Sequence, residues 1–178
     1  MTVHQHLSQY AAYNLWANQL MIDWLLSKDP SLMEKEVKSS FPTINKTLSH
    51  IWVAEHVWMC RLEEIVWKNL ASRHDGQNAK QITDDIILSS TYYIDKLQAI
   101  NESELHENID YKLLSGDTGT SSTFNIIHHV MNHSTYHRGQ LVTMGRELGF
   151  TDPPKTDFIF YCTSVSYTHL TLQTIYSV

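Results

Sequence analysis

Apolar residues recur along most of the chain at alternating spacings of four and three, the signature of one face of a helix. Val3, Leu7, Tyr10, Asn14, Ala17, Met21 and Trp24 form the first stripe. Asp29-Pro30 closes it, because the residue before a proline is pushed out of the helical region. Residues 29–42 read as a connection with room for a short helical turn. A second stripe, Ile44, Leu48, Ile51, Glu55, Trp58, Leu62 and Ile65, starts behind Thr43, a side chain suited to the N-cap. The segment SRHDGQNAK breaks the period and reads as a loop. A third helix is predicted after Thr83, with Asp84 and Asp85 in its first turn against the helix dipole and Ile86, Tyr93, Leu97 and Ile100 as its stripe. Residues 101–122 alternate in short runs around Ser115-Gly116-Asp117 and read as an irregular crossover with a small hairpin. The last helix runs from Ser122 or Thr123 to Leu148, closed by Gly149 and barred from continuing by Pro153-Pro154.

Four amphipathic helices with a long irregular crossover before the last one predict an all-α four-helix bundle, a fold whose core can hold a site. The bundle is expected over residues 1–163, with 155–162 as a short closing segment. The run SVSYTHLTLQTIYSV resembles translated adapter sequence from the ends of metagenomic reading frames. On that reading residues 164–178 are a non-native or disordered tail, and His169 is not counted among ligand candidates.

Composition narrows the function classes. At 178 residues and 42% hydrophobic, the chain suits one domain with its own core. A formal net charge of -6 disfavours nucleic acid and anionic membranes, both of which call for clustered Lys and Arg. Cys60 and Cys162 are too few for a disulfide framework and read as a buried small hydrophobe and a surface thiol. The N-terminus lacks a basic start followed by an apolar run, and no stretch approaches a membrane span, so a reducing cytoplasm is expected. The feature that most needs explaining is the count of 11 histidines.

The chemistry concentrates in IIHHVMNHSTYHRGQLVTMG. On a helical wheel His133 and His137 fall in one stripe with Ile126, Val130, Leu141, Met144 and Leu148, one turn apart on a core-facing line. Buried imidazoles without partners are costly, and a metal ion resolves this by taking one lone pair from each ring. His-x-x-x-His alone is common by chance, and taken by itself it reads better as a pair of hydrogen-bonded core histidines. A bundle site needs ligands from a second helix. There His50 flanks the stripe, His56 points away from it as a surface residue, and Glu55 lies inside it as a fourth ligand, an acceptor behind a ligand, or the partner of a buried Arg. Periodicity leaves His50 and Glu55 both open. His129 sits beside the His133 line, His128 faces away, and His4 and His6 read as an exposed, frayed start. Arg138 is expected to pair with Glu55, ahead of the alternative of meeting an anionic ligand. Trp16, Trp52, Trp58 and Trp67 read as packing residues.

NLWANQLM in the first helix, LSHIWVAEHVW in the second, NHSTYHRGQL in the fourth and the ending PPKTDFIFYC resemble the DinB family of damage-inducible metalloproteins, over roughly residues 3–162. The resemblance implies a four-helix bundle, often a homodimer, and selects His50 over Glu55, giving the triad His50, His133 and His137. It implies one divalent metal ion, nickel or zinc ahead of iron or manganese. It also implies a metal-dependent transferase that joins a low-molecular-weight thiol such as bacillithiol or mycothiol to an electrophilic substrate. Three neutral histidines leave the ion an open position, which suits catalysis. The alternatives are a metal-dependent hydrolase with Glu55 as base, and a non-enzymatic metal-binding stress protein or scaffold whose site is sealed by apolar side chains.

Overall fold

The computed structural model describes residues 1–66, 70–113 and 115–164. Trp67 and, apart from Ser164, the expected tail lie outside the described residues. Four long helices dominate: α1 (Val3–Leu26), α2 (Ile44–Leu62), α3 (Ala79–Ala99) and α4 (Thr123–Glu147). Strands β1 (Asn108–Lys112) and β2 (Thr118–Ser122) form an antiparallel hairpin in the crossover before α4. A short 3-10 turn, Pro30–Glu34, fills the first connection, and residues 158–164 add a closing helical segment.

The helix starts follow local capping chemistry. Thr2 and Gln5 exchange side-chain-to-backbone hydrogen bonds at the head of α1, and Thr43 and Ser122 cap α2 and α4. His4 is therefore not frayed: its Nε2 lies 2.7 Å from the Leu97 carbonyl and 3.0 Å from that of Ile100, clasping the end of α3. His6 is exposed, as expected.

Two expected boundaries are corrected. Helix α3 begins at Ala79, because Asn78, inside the stretch read as a loop, forms a reciprocal capping box with Gln81 just beyond it. Asp84 and Asp85 thus sit beyond the first turn, where Asp84 pairs with Lys80 and Asp85 with Arg73 and His74. Buried His74 also places Nδ1 3.0 Å from Ser49 Oγ, so it ties the connection after α2 to both α2 and α3. Helix α2 stops at Leu62, since Glu64 takes a positive φ of 54°, and Ile65 leaves the stripe to become exposed.

The end of α4 follows the expected chemistry. Gly149 is left-handed at φ 86°, its N–H donates to Arg146 O, and the Phe150 N–H donates back to Gly145 O, closing the last turn. Gly145 is required for a separate reason: a Cβ there would stand 2.4 Å from the Trp24 ring, which packs edge-on against Phe150.

Each of α1 and α2 packs against both α3 and α4. The α1–α2 and α3–α4 connections therefore both cross the bundle, so residues 27–43 form a second long crossover beside the one expected. The interior has two apolar halves. One gathers Met21, Leu25, Leu48, Ile51, Ile86 and Leu141, and the other Leu7, Tyr93, Leu97, Ile126, Val130 and Met131. Between them, on every helix, lies a polar residue: Asn14 and Asn18 on α1, Glu55 on α2, Ser90 on α3, Ser134 and Arg138 on α4, all buried. Among the described residues no helix is long and apolar enough to cross a membrane.

Candidate metal centre

At the level of this polar layer, α2 and α4 bring three imidazoles together. The His133 Nε2 lies 3.1 Å from His50 Nε2 and 3.1 Å from His137 Nε2. One ligand atom from each ring falls within 4.8 Å of the others. The two measured separations compare with about 3.3 Å for nitrogens held tetrahedrally at roughly 2.0–2.1 Å from zinc. Of the two candidates left open on α2, His50 joins the cluster and Glu55 does not.

The rotation of α4 differs from the wheel expectation. The fully buried line at this height is Ser134 and Arg138, at 0% and 2% exposure, while His133 is half-buried at the edge facing α2. His137 is buried. Ser134 and Arg138 thus occupy the centre of the bundle, and the histidines lie toward the α2–α4 seam.

Hydrogen bonding orients the rings. His137 Nδ1 stands 2.8 Å from Gln140 Oε1, and Gln140 Nε2 donates to Ser40 Oγ at 3.0 Å. In the neutral ring this partner holds the proton on Nδ1 and leaves a lone pair on Nε2. Phe41, from the first crossover, stacks on His50 with centroids 4.3 Å apart. Burial, with the neighbouring His137 adding to it, pushes the His50 pKa down to about 4. Burial, followed by His137, His50 and His129, pushes His133 down to about 3. Burial lowers His137 too, opposed by its bond to Gln140. Lowered in this way, all three rings favour the uncharged form at neutral pH, and their Nε2 atoms come together at the α2–α4 seam. His133 Nδ1 is buried without a partner among the described residues. Three imidazole donors with this spacing could hold a divalent metal ion.

The remaining expected residues take other places. Glu55 is neither a ligand nor a prop behind one. Its Oε1 accepts from Asn14 Nδ2 (3.0 Å), Asn18 Nδ2 (3.3 Å) and Ser134 Oγ (2.9 Å), and its Oε2 from Ser90 Oγ (2.8 Å). Burial raises its pKa, opposed by the hydrogen bonds from Asn14, Ser90 and Ser134 and by the charge of Arg138. The expected direct Glu55–Arg138 ion pair is replaced by an amide bridge: Arg138 donates to Asn14 Oδ1 and Asn18 Oδ1, each at 2.7 Å. His129 lies alongside, its ring 5.8 Å from that of His133, outside the converging group. His56 is half-buried against Trp52 rather than solvated. Trp16, Trp52 and Trp58 pack against neighbouring rings, as expected.

Sequence reasoning missed Gln140, Ser40 and Phe41. Gln140 follows His137 by three residues, the spacing of neighbours on a helix, and that was its available signal. Nothing local marks Ser40 and Phe41, which reach the site only because the first crossover folds over α4.

Comparison with known proteins agrees with this architecture. The description "DinB family" matches residues 1–168. Protein DinB of Bacillus subtilis (strain 168) is 27% identical over 159 residues, covering 84% of this chain and 89% of the relative. The crystal structure of a DinB-like protein from Bacillus cereus ATCC 10987 superposes with a TM-score of 0.64 at 21% identity, covering 81% of this chain and 91% of the other. A structure assigned to the DinB family, from Exiguobacterium sibiricum 255-15, gives a TM-score of 0.63 at 18% identity, covering 88% and 99%. With a family match across nearly its whole length and the same helical fold in solved relatives, the chain belongs to the DinB family.

Proposed function

We propose that the chain binds one divalent metal ion through His50, His133 and His137 and transfers a small thiol to an electrophilic substrate. The observation that carries this reading is the convergence of three uncharged imidazole nitrogens, two of the contacts at 3.1 Å. A bound divalent ion supplies Lewis acidity, which favours the deprotonated form of a thiol or water at neutral pH. The chain's own residues prepare the place. Gln140 fixes the His137 ring, Phe41 braces His50, and His50 and His133 are half-buried at the edge of the bundle. That position favours a site open to a small molecule over one sealed for a purely structural role. Hydrolysis with Glu55 as base is disfavoured, since both its oxygens accept hydrogen bonds inside the bundle. Thiol transfer itself rests on the resemblance of residues 3–162 to thiol-dependent members of the family, and a reducing cytoplasm would keep such thiols available.

Purified protein is expected to hold about one equivalent of metal by elemental analysis. Cysteine, glutathione, coenzyme A and bacillithiol, each supplied with 1-chloro-2,4-dinitrobenzene, are expected to include one that gives metal-dependent conjugation above the uncatalysed rate. The rate falls sharply in His50→Ala and His133→Ala and little in Trp16→Phe. Absence of stoichiometric metal, with equal stability before and after metal addition, overturns the centre. A loaded protein whose crystal structure shows no solvent path to the ion overturns the transferase and favours a scaffold.

A further inference from the structure

The buried polar layer takes no part in the chemistry above, and stability alone does not explain it. Burying a carboxylate and a guanidinium removes both from water, and apolar replacements of similar size are often neutral or stabilising. The layer does something the apolar halves of the bundle cannot. Apolar contacts are non-directional, so two helices packed only through them can rotate or slide at low cost. Hydrogen bonds fix direction as well as distance.

The layer's position relative to the histidines is specific. On α4, Ser134 and Arg138 each follow a site histidine by one residue, over the same two turns. Ser134 donates to Glu55 at 2.9 Å, tying α4 to α2, the two helices that carry the imidazoles. Arg138 donates to Asn14 and Asn18 on α1, whose own amide groups donate to Glu55. Ser90 brings α3 to the same carboxylate. All four helices are pinned at one height, and a residue on an α-helix lies about 100° round from its predecessor. Fixing Ser134 and Arg138 toward the centre therefore fixes His133 and His137 toward the α2–α4 seam, where His50 waits.

We propose that Glu55, Arg138 and Ser134, with the amides of Asn14 and Asn18, are positioning residues for the histidine centre, setting the rotation and axial register of α4 against α2. The inference rests on the metal-binding reading and goes beyond it. None of these side chains touches the ion; they act through the backbone that carries the ligands.

Cobalt(II) is the probe, because its visible absorption reports ligand number and geometry directly. The full chain is compared as wild type, Glu55→Gln, Ser134→Ala and the double variant Glu55→Leu/Arg138→Met, which removes both charges together. Ile126→Val serves as a stability control in an apolar half. Glu55→Gln keeps one acceptor oxygen for Asn14, Asn18 and Ser134, and its amide nitrogen can donate to Ser90 Oγ, so it is expected to retain the wild-type cobalt spectrum and affinity. The double variant is expected to remain helical and to melt cooperatively, with affinity lower by about tenfold or more and an altered spectrum, as when groups that orient ligands are lost. Ser134→Ala is expected to weaken cobalt binding several-fold while the metal-free melting temperature moves no more than in Ile126→Val. A folded double variant with wild-type affinity and spectrum overturns the inference and leaves the metal centre standing. If the double variant does not fold, wild-type affinity in Ser134→Ala overturns it instead. A wild-type chain that takes up no cobalt overturns the metal centre and the positioning role together.

Discussion

Two polar clusters occupy the same height of one bundle and are built in opposite ways. In the layer around Glu55, donors and acceptors close on one another: four hydrogen bonds reach the carboxylate, and the amides that supply two of them pass Arg138 its acceptors. In the histidine cluster the groups facing each other are alike. His133 Nε2 meets two further ring nitrogens at 3.1 Å, and its Nδ1 is buried without a partner among the described residues. The first cluster closes on itself except at Arg138 Nε, which is buried without a partner among the described residues, and the second gains a common partner only from outside the chain. Burial and polarity are shared, so neither identifies a functional site. What separates the two is how far the hydrogen-bonding valences are already matched: all four bonds to the Glu55 carboxylate are made within the chain, while the ring nitrogens at the histidine cluster face only one another.

If that distinction holds, breaking the first cluster must cost stability and breaking the second must not. The largest effect is expected from Glu55→Leu alone, which strands the Arg138 charge and the four donors. Unfolding by urea should show a loss of about 3–5 kcal/mol, the range for removing one member of a buried pair. A loss below 1 kcal/mol would mean that the layer is not mutually dependent. His133→Ala is the opposite experiment. It should abolish stoichiometric metal while changing metal-free stability by less than about 1 kcal/mol, read by elemental analysis and urea titration on the same preparation. Gly145→Ala lies in neither cluster. Its new methyl group would meet the Trp24 ring, and overpacking of this kind costs about 1–3 kcal/mol; metal content should stay unchanged. The smallest effect is expected from Gln140→Leu, which removes the acceptor behind His137. Metal affinity should fall about tenfold with the urea midpoint unmoved. A shift in midpoint without a shift in affinity would assign Gln140 to the fold instead.

The stripes of α1 and α4 were legible because their ends carry local signals, from Trp24 before Asp29-Pro30 to Gly149 before the two prolines. The start of α3 was misread because Asn78 and Gln81, a polar pair in a polar stretch, cap a helix whose first apolar residues are only Ala79 and Ile82. The end of α2 had no signal at all: Glu64 turns the chain without a glycine. In the candidate centre, the His133 and His137 pair was readable from spacing, and His50 came from the resemblance rather than from periodicity. The layer was visible only as two oddities, Asn14 and Glu55 inside otherwise apolar stripes. Its wiring was not, because each helix contributes one or two members and the partners are set by packing. The amide bridge between Glu55 and Arg138 shows the difficulty: the charges suggested direct contact, and two neutral side chains on another helix intervene.

The crossed connections give the centre a place in time as well as in space. His50 and His133 are 83 residues apart in sequence, with α3 and the hairpin between them. Contacts between such distant segments form late, after neighbours such as α2 and α3 have met. Until α4 docks, the chain offers only the imidazole pair of His133 and His137, one turn apart on a single helix. The third ligand arrives when α4 docks on α2. Metal uptake would then act as an inspection of the finished chain, since a molecule halted with α4 undocked has no three-nitrogen site to fill.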